Sequence, residues 1–473
     1  MKRPLHILRF GTVGDKNHIG RAVNIFDNLV INANSAAYVS GAIAKLIVEK
    51  LYNNEKKGYF IDPITYAFQK DIHLLKNKEG VIKKSISKLI EKYDIELSIH
   101  NKNAFRILEL DNDSLRKFCT NVLGFQYKII QEFISSDNMS EYLIYDTNTS
   151  LDDITQIHPK LLIAPYFYLD ISDNDYKLWL KLNVDCISIS KKISGSYKNL
   201  PIFAQIVLSQ TCLTDTARLK EIIETYALCE CDGFTIWIDG LDEHKEDVNT
   251  LLAFTELLQQ LKSVSERKPI YNMYGSYFSV LLTHKDVNLL DGVSHGLEYG
   301  ESRDVYPVGG GLPVSKYYFM PLHKRFDFTK AFYLLSHNKI IDSNSSDWGT
   351  TDKYMNEICN CGTCSKVLKK EMSNFIKFES NQFYEVKYKN GAAIRRKKAS
   401  PETKQNCLYH YLLCKNTEYR KLNKSNIEDI LKELLIERDK YIDCRYLDSN
   451  ELLYINNWNV TIRNIINRVN KYE

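Results

Sequence analysis

Pro201-Ile202-Phe203-Ala204-Gln205-Ile206-Val207-Leu208, an amphipathic stretch at 216–228, and Gly233-Phe234-Thr235-Ile236-Trp237-Ile238 are the residues that decide the fold. Both flanking runs are short, uncharged and rich in β-branched or aromatic side chains, as strands covered on both faces must be. The stretch between them carries apolar residues at helical spacing. Strand, helix and strand in that order form one unit of a parallel α/β sheet.

The alternation continues in both directions. Strand-like runs recur at 5–10, 28–33, 58–64, 161–168, 186–190, 270–274 and 292–297, and further amphipathic stretches fall at 36–51 and 248–264. Eight or nine strands interleaved with helices fit a closed barrel better than an open dinucleotide-binding sheet, and no Gly-x-Gly-x-x-Gly follows the first strand. The predicted fold is therefore α/β, a (β/α)8 TIM-type barrel over 1–348, with a charged helical insertion at about 77–146. A C-terminal subdomain over 349–473 is predicted to bind metal through a cysteine cluster, to carry a Lys/Arg-rich segment at 366–404, and to end in helices from 427 onward.

Composition bounds the class. The 473 residues are 44% hydrophobic and 26% charged, ample for a large core and unlike a disordered chain. The N-terminus has no apolar run behind its basic residues and no later segment approaches a membrane span, so a cytoplasmic protein with no membrane partner is expected. Eleven cysteines, an odd number in a long chain, do not suit a secreted disulfide framework. The net charge of +4 is too small to indicate nucleic-acid binding, but Arg395-Arg396-Lys397-Lys398 concentrates positive charge locally.

Cys359-Asn360-Cys361-Gly362-Thr363-Cys364 puts three thiols within six residues, a spacing that can aim all three sulfurs at one tetrahedral ion. His410, in Cys407-Leu408-Tyr409-His410-Tyr411, is the expected fourth ligand, with Cys407 and Cys414 as competitors. Four protein ligands leave no open coordination position, so one structural zinc per chain is expected.

This cluster, with a histidine on a later helix, resembles the zinc site of tRNA-guanine transglycosylases, which are (β/α) barrels carrying that site after the last strands. Tyr271-Asn272-Met273-Tyr274-Gly275-Ser276 followed by Val287-Asn288-Leu289-Leu290-Asp291-Gly292-Val293-Ser294 is similar to the family's segment bearing the nucleophilic acid, which falls on Asp291. Phe60-Ile61-Asp62-Pro63-Ile64-Thr65-Tyr66-Ala67-Phe68-Gln69 resembles its Asp-Ser-Gly-Gly-Phe-Gln segment, with Asp62 as the second carboxylate. Gly233 through Leu241 is similar to the glycine-rich strand end lining the base pocket. The match runs from about residue 25 to 415. The family's Pro-Thr-Arg is replaced around Ser294-His295-Gly296, its Ser-Gly-Gly is gone, and the spacer before His410 is long. These departures, with Val30-Ile31-Asn32-Ala33-Asn34-Ser35-Ala36-Ala37-Tyr38, resemble the divergent DpdA branch, which inserts 7-deazaguanines into DNA.

The resemblance implies a glycosyltransferase that replaces guanine in DNA with a 7-deazaguanine such as 7-cyano-7-deazaguanine. Exchange on tRNA and a catalytically silent nucleic-acid-binding paralogue are the alternatives, and helper proteins of a DNA-modification system are expected among its partners. Asp291 would attack C1′ and Asp62 would act as general acid/base, both expected at C-terminal strand ends. By pattern alone Asp291 reads first as a cap or turn aspartate, and it is the register with the family that favours the nucleophile; Asp62 reads equally as an Asp-Pro turn. Substrate-binding candidates are Asp239, Gly240, Gln205, Ser209, Tyr166, Asp170 and His295. The Lys/Arg segment would neutralise phosphates or, equally, form a solvated charge run, and Gly309-Gly310-Gly311 offers backbone to a phosphate or forms a plain loop.

Overall fold

The computed structural model describes residues 3–11, 15–52, 57–95, 105, 107–134, 154, 156–265, 268–297, 300–306, 314–346, 348–387, 391–448 and 450–472. Eight strands, β1 (Leu5–Phe10), β2 (Asn28–Asn32), β3 (Gly58–Asp62), β4 (Leu162–Ile163), β5 (Ile202–Leu208), β6 (Gly233–Ile238), β7 (Ile270–Asn272) and β8 (Gly292–Gly296), pair in the order β3-β2-β1-β8-β7-β6-β5-β4. Every pairing is parallel. All seven residues of β5 and all six of β6 are buried, because the barrel interior covers one face and a helical layer the other. The fold is a (β/α)8 TIM-type barrel.

The ladder is weakest between β3 and β4, and side chains hold that seam. Lys160 N donates to Tyr59 O at 2.8 Å on one side of it. On the other, the Thr65 hydroxyl donates to Tyr166 O at 2.6 Å and accepts from Tyr166 N at 2.8 Å. Gln126, from helix Asn112–Ile134, donates to Ile163 O and accepts from Ile163 N, at 2.8 and 2.9 Å. The amide thus pairs a strand backbone that lacks a full neighbour.

Local rules explain most elements. Helix Val248–Val264 starts where the Asp247 carboxylate accepts from Thr250 N at 2.8 Å, and buries Leu251, Phe254, Leu257, Leu258 and Leu261. One sequence expectation is wrong here. Residues 186–190 lie in helix Tyr176–Ile193, which buries Tyr176, Trp179, Leu180, Asn183 and Ile187 at spacings of three and four, and that periodicity overrides the β-branched run. The expected strand at 161–168 is regular only at Leu162–Ile163.

The stretch 77–146 contains helices Lys84–Tyr93 and Asn112–Ile134; residues 96–104 and 135–146 lie outside the described residues. At the other end of the chain, helix Pro401–Leu422 lies directly on the barrel. Its Tyr419 stacks on His6 of β1 at 4.9 Å, and His295 Nε2 of β8 lies 3.4 Å from the Tyr419 hydroxyl. Helices Ile427–Asp439 and Leu453–Tyr472 follow, with Trp458 Nε1 donating to Glu243 O at 2.7 Å. The Lys/Arg-rich segment contains an antiparallel hairpin, Gln382–Lys387 with Ala393–Lys398. No helix among the described residues is long and apolar enough to cross a membrane.

Candidate functional site

Because all eight strands run the same way, their last residues share one rim, where barrel enzymes keep their chemistry. Asp62, the final residue of β3, is there and almost wholly buried. Its Oδ1 accepts from the Tyr166 hydroxyl at 2.6 Å and from Ile64 N at 3.0 Å. Burial pushes the carboxyl above the ordinary carboxylate range, against the lowering effect of these two bonds and of Arg303 and Arg9.

Aromatic rings and two guanidinium groups complete the mouth. Tyr66 stacks near Tyr166 at 5.9 Å and meets Trp237 edge-on at 5.3 Å, while Trp237 lies 4.8 Å from Tyr274. Arg9, from β1, stacks on the Tyr274 ring at 3.4 Å and donates to Met273 O and, at 3.2 Å, to Ser294 Oγ. Burial lowers its pKa to about 10, and its Nε is buried without a partner. Arg303 donates to the Tyr274 hydroxyl at 2.8 Å. A buried carboxyl, flat π-faces and fixed cations suit a planar ligand with an anionic attachment.

A strap at 300–306 seals this mouth, and Asp239 anchors it. Asp239 follows β6; its two oxygens accept from Val305 N at 2.6 Å and from the Tyr168 hydroxyl at 2.8 Å. Gly240 N and Trp237 Nε1 both donate to Arg303 O, at 3.1 and 2.9 Å, and Lys70 Nζ donates to Val305 O. Gly240 has φ +64, the left-handed region that glycine adopts without strain. Tyr166 and Tyr168, two residues apart, therefore each hold one aspartate at the same rim.

Asp291 is elsewhere. It precedes β8, and the five residues of that strand, a rise of roughly 16 Å, separate it from the rim where Asp62 ends β3. Its Oδ2 accepts from Lys262 Nζ at 2.6 Å and from Ile270 N at 2.8 Å, and its carbonyl accepts from Leu5 N. The aspartate ties the barrel floor together, and the expected pairing of Asp62 with Asp291 across one mouth is incorrect. His295 is also displaced from its expected role. Ser294 points into the barrel toward Arg9, so strand alternation turns His295 outward, where Nδ1 lies 3.0 Å from Gly275 O beneath helix Pro401–Leu422. Burial holds its imidazole well below the usual range.

The remaining candidates divide. Gln205 is inside the barrel, accepting from Thr235 Oγ1 at 3.1 Å, with its Nε2 unpartnered. Ser209 caps helix Gln210–Thr214 by accepting from Cys212 N at 3.2 Å. Asp170 holds a rim turn by accepting from Ser172 N at 3.0 Å. These bonds define local structure for Ser209 and Asp170. Gly309-Gly310-Gly311 lies outside the described residues. Arg9, Arg303, Trp237, Tyr66 and Tyr274 were not singled out as site residues from sequence, although an arginine inside the apolar run Leu5–Phe10 is a readable signal, since a buried charge must have a purpose or a partner.

The cysteine cluster is assembled as expected. The ligand atoms of Cys359, Cys361, Cys364 and His410 all lie within 4.8 Å of one another. His410 Nδ1 is 3.8, 3.4 and 3.2 Å from the sulfurs of Cys359, Cys361 and Cys364. Zinc–sulfur and zinc–nitrogen bonds of about 2.3 and 2.0 Å at tetrahedral angles place ligand atoms roughly 3.5–3.8 Å apart, close to these values. His410 Nε2 lies 2.7 Å from Tyr318 O, which fixes the N–H there and leaves the Nδ1 lone pair toward the sulfurs. Burial alone would depress this imidazole, but Cys359 and Cys361 outweigh it and push its pKa up to about 10. The four side chains can hold one metal ion. Cys414 Sγ is close by, 3.7 Å from Cys359 Sγ, whereas the Cys407 thiol donates to Phe378 O at 3.5 Å.

A cavity of about 730 Å³ opens between the strap and the C-terminal helices, lined in part by Lys245, Lys316, Lys324, Arg325, Lys398 and Lys404. Asp242, Glu301 and Asp327 are its acids, leaving a cationic balance. No family model matches the chain, and no curated protein matches it.

Proposed function

We propose that this protein is a glycosyltransferase that exchanges a guanine of DNA for a 7-deazaguanine such as 7-cyano-7-deazaguanine, at the C-terminal mouth of the barrel. One observation carries the reading: a single buried carboxyl, Asp62, held by Tyr166 among stacked rings and two arginines, in the segment that resembles the transglycosylases. Its raised pKa suits a group that gives a proton to a departing base and takes one from the next. The second carboxylate is Asp239 in place of Asp291, because Tyr166 and Tyr168 bring Asp62 and Asp239 to the same rim.

The chemistry follows the double displacement of retaining glycosidases. Asp239 attacks C1′, a C–O ester bond forms as the C1′–N9 bond breaks, and Asp62 protonates the leaving guanine. Asp62 then removes the N9 proton of the incoming base, whose nitrogen displaces Asp239. Release of Val305 N from Asp239 must precede attack, so the strap at 300–306 has to lift. Zinc at Cys359, Cys361, Cys364 and His410 would be structural, fixing the start of helix Gly362–Leu368 to helix Pro401–Leu422.

Incubating the protein with radiolabelled 7-cyano-7-deazaguanine and either plasmid or tRNA tests this. Label in plasmid is the expected result; label confined to tRNA would replace the substrate, and label in neither polymer would remove the exchange reading. The sealed mouth favours one other function, nucleic-acid binding without turnover, in which Arg303 stays locked on Tyr274 and Trp237. Binding of both polymers without any incorporation would select it.

A further inference from the structure

The hairpin Gln382–Lys387 and Ala393–Lys398 is exposed on both faces along most of its length. A two-stranded ribbon with neither face packed is marginal in water. Its register places Phe383, Glu385 and Lys387 beside Lys397 and Arg395 on one face, and Tyr384 beside Arg396 and Lys398 on the other. Five cations thus stand against one acid within the strands, and Lys397 reaches a further acid, Glu379, at 3.5 Å. Four consecutive cations repel one another, which a protein tolerates where a polyanion completes the surface. Apolar groups interleave them: Phe383 and Ile394 are 42% and 47% exposed, and the Arg395 guanidinium lies 4.2 Å over the Phe383 ring.

The position of the ribbon gives this charge a direction. Lys398 and Ala399, at its foot, line the 730 Å³ cavity and also a neighbouring one of about 550 Å³ that includes His18, Arg21 and Lys404. The larger cavity is walled by Glu301 and Ser302, the start of the strap that seals Asp62. Cationic side chains therefore outnumber acids in the cavity that extends from the foot of the ribbon to the start of the strap.

We propose that this ribbon enters the major groove of B-form duplex DNA beside the nucleotide being processed. The inference rests on the nucleic-acid reading above and names the form of its substrate. A major groove of about 12 Å admits a two-stranded ribbon, whereas the deep, narrow major groove of A-form RNA does not. Arg395, Arg396 and Lys397 supply the donors that guanine edges and phosphates accept, and Phe383 and Ile394 supply apolar contact for thymine methyl groups.

Fluorescence anisotropy with the full chain tests it, using DNA and RNA duplexes of one sequence over a range of salt concentrations. The DNA duplex is expected to bind at least ~10-fold tighter than the RNA duplex. The double variant Arg395→Ala with Lys397→Ala should lower the salt slope by roughly 2, since each phosphate that is no longer neutralised removes about 0.9 from it. Glu385→Lys should tighten binding, a gain that misfolding cannot produce. Equal affinity for both duplexes, or an unchanged slope in the double variant, overturns the ribbon. If binding follows the ribbon but no 7-deazaguanine enters DNA, base exchange fails and the ribbon stands. If exchange proceeds while the double variant binds duplex as the parent does, the ribbon fails and exchange stands.

Discussion

Asp62→Asn is expected to leave the fold intact and to make it slightly more stable at neutral pH. Both bonds to this side chain, from Tyr166 at 2.6 Å and Ile64 at 3.0 Å, end on Oδ1, so the amide oxygen of asparagine can accept both. Each such bond is worth about 1 kcal/mol net, and neither is lost. What disappears is the cost of burying a charge. The carboxyl is raised above its ordinary value by that burial, which means the folded protein prefers it neutral. A raised folded pKa gives stability that is complete below the unfolded value, about 3.9, and is lost as pH rises through the folded value. Wild type and variant should therefore melt together in acid and separate toward neutral pH. The variant should be the more stable there, because asparagine never carries the charge whose burial the folded protein disfavours. At roughly 2 cal/mol/K of unfolding entropy per residue, a chain of 473 residues moves by about 1 °C for each kcal/mol. Scanning calorimetry at a series of pH values measures this difference. A variant that melts several degrees below wild type at neutral pH, with the gap closing in acid, would mean that ionised Asp62 serves as counter-ion to Arg9 and Arg303, and the proton-transfer role would be wrong.

Three further outcomes follow from the same geometry. Asp291→Ala strands Lys262, whose side chain is only 12% exposed, and removes the acceptor of Ile270 N; a loss of about 2–3 kcal/mol is expected by thermal melting, with base exchange per folded molecule unchanged. Tyr166→Phe deletes a hydrogen bond that favours ionised Asp62, so the limb of the pH–rate profile set by that group should move to higher pH; movement to lower pH contradicts the assignment. Cys361→Ser should reduce bound zinc from one per chain, measured by plasma emission spectroscopy, and lower the melting temperature, while full zinc content in the variant would transfer the ligand role to Cys414.

What sequence revealed was what short-range pattern encodes. β5, β6 and helix Val248–Val264 were readable because their burial follows a simple period, and the three clustered thiols because one turn places them all. The Asp291 error came from position along a strand: an acid next to a strand can stand at either rim, and only the register, with Leu5 paired to Gly292, shows that it stands at the start. His295 failed through alternation, since one residue of offset turns a side chain from the barrel interior to its outer layer. The mouth itself combines β1, β3, β6 and β7 with the strap, joining residues as distant as Arg9 and Arg303, a convergence that no local window contains. The hairpin was legible in principle, for Asn390-Gly391 between two runs of alternating side chains is a strong turn signal, but the density of lysine and arginine made it read as a charge run.

Parallel exchange assays on Asp62→Asn and Asp291→Asn, with labelled 7-deazaguanine and DNA, address the position of the reactive centre most directly. Incorporation should fall by roughly 10²–10⁴ in Asp62→Asn and stay near wild type in Asp291→Asn. The reverse, with Asp62→Asn active and Asp291→Asn inert though folded, would place the chemistry at the other end of the barrel.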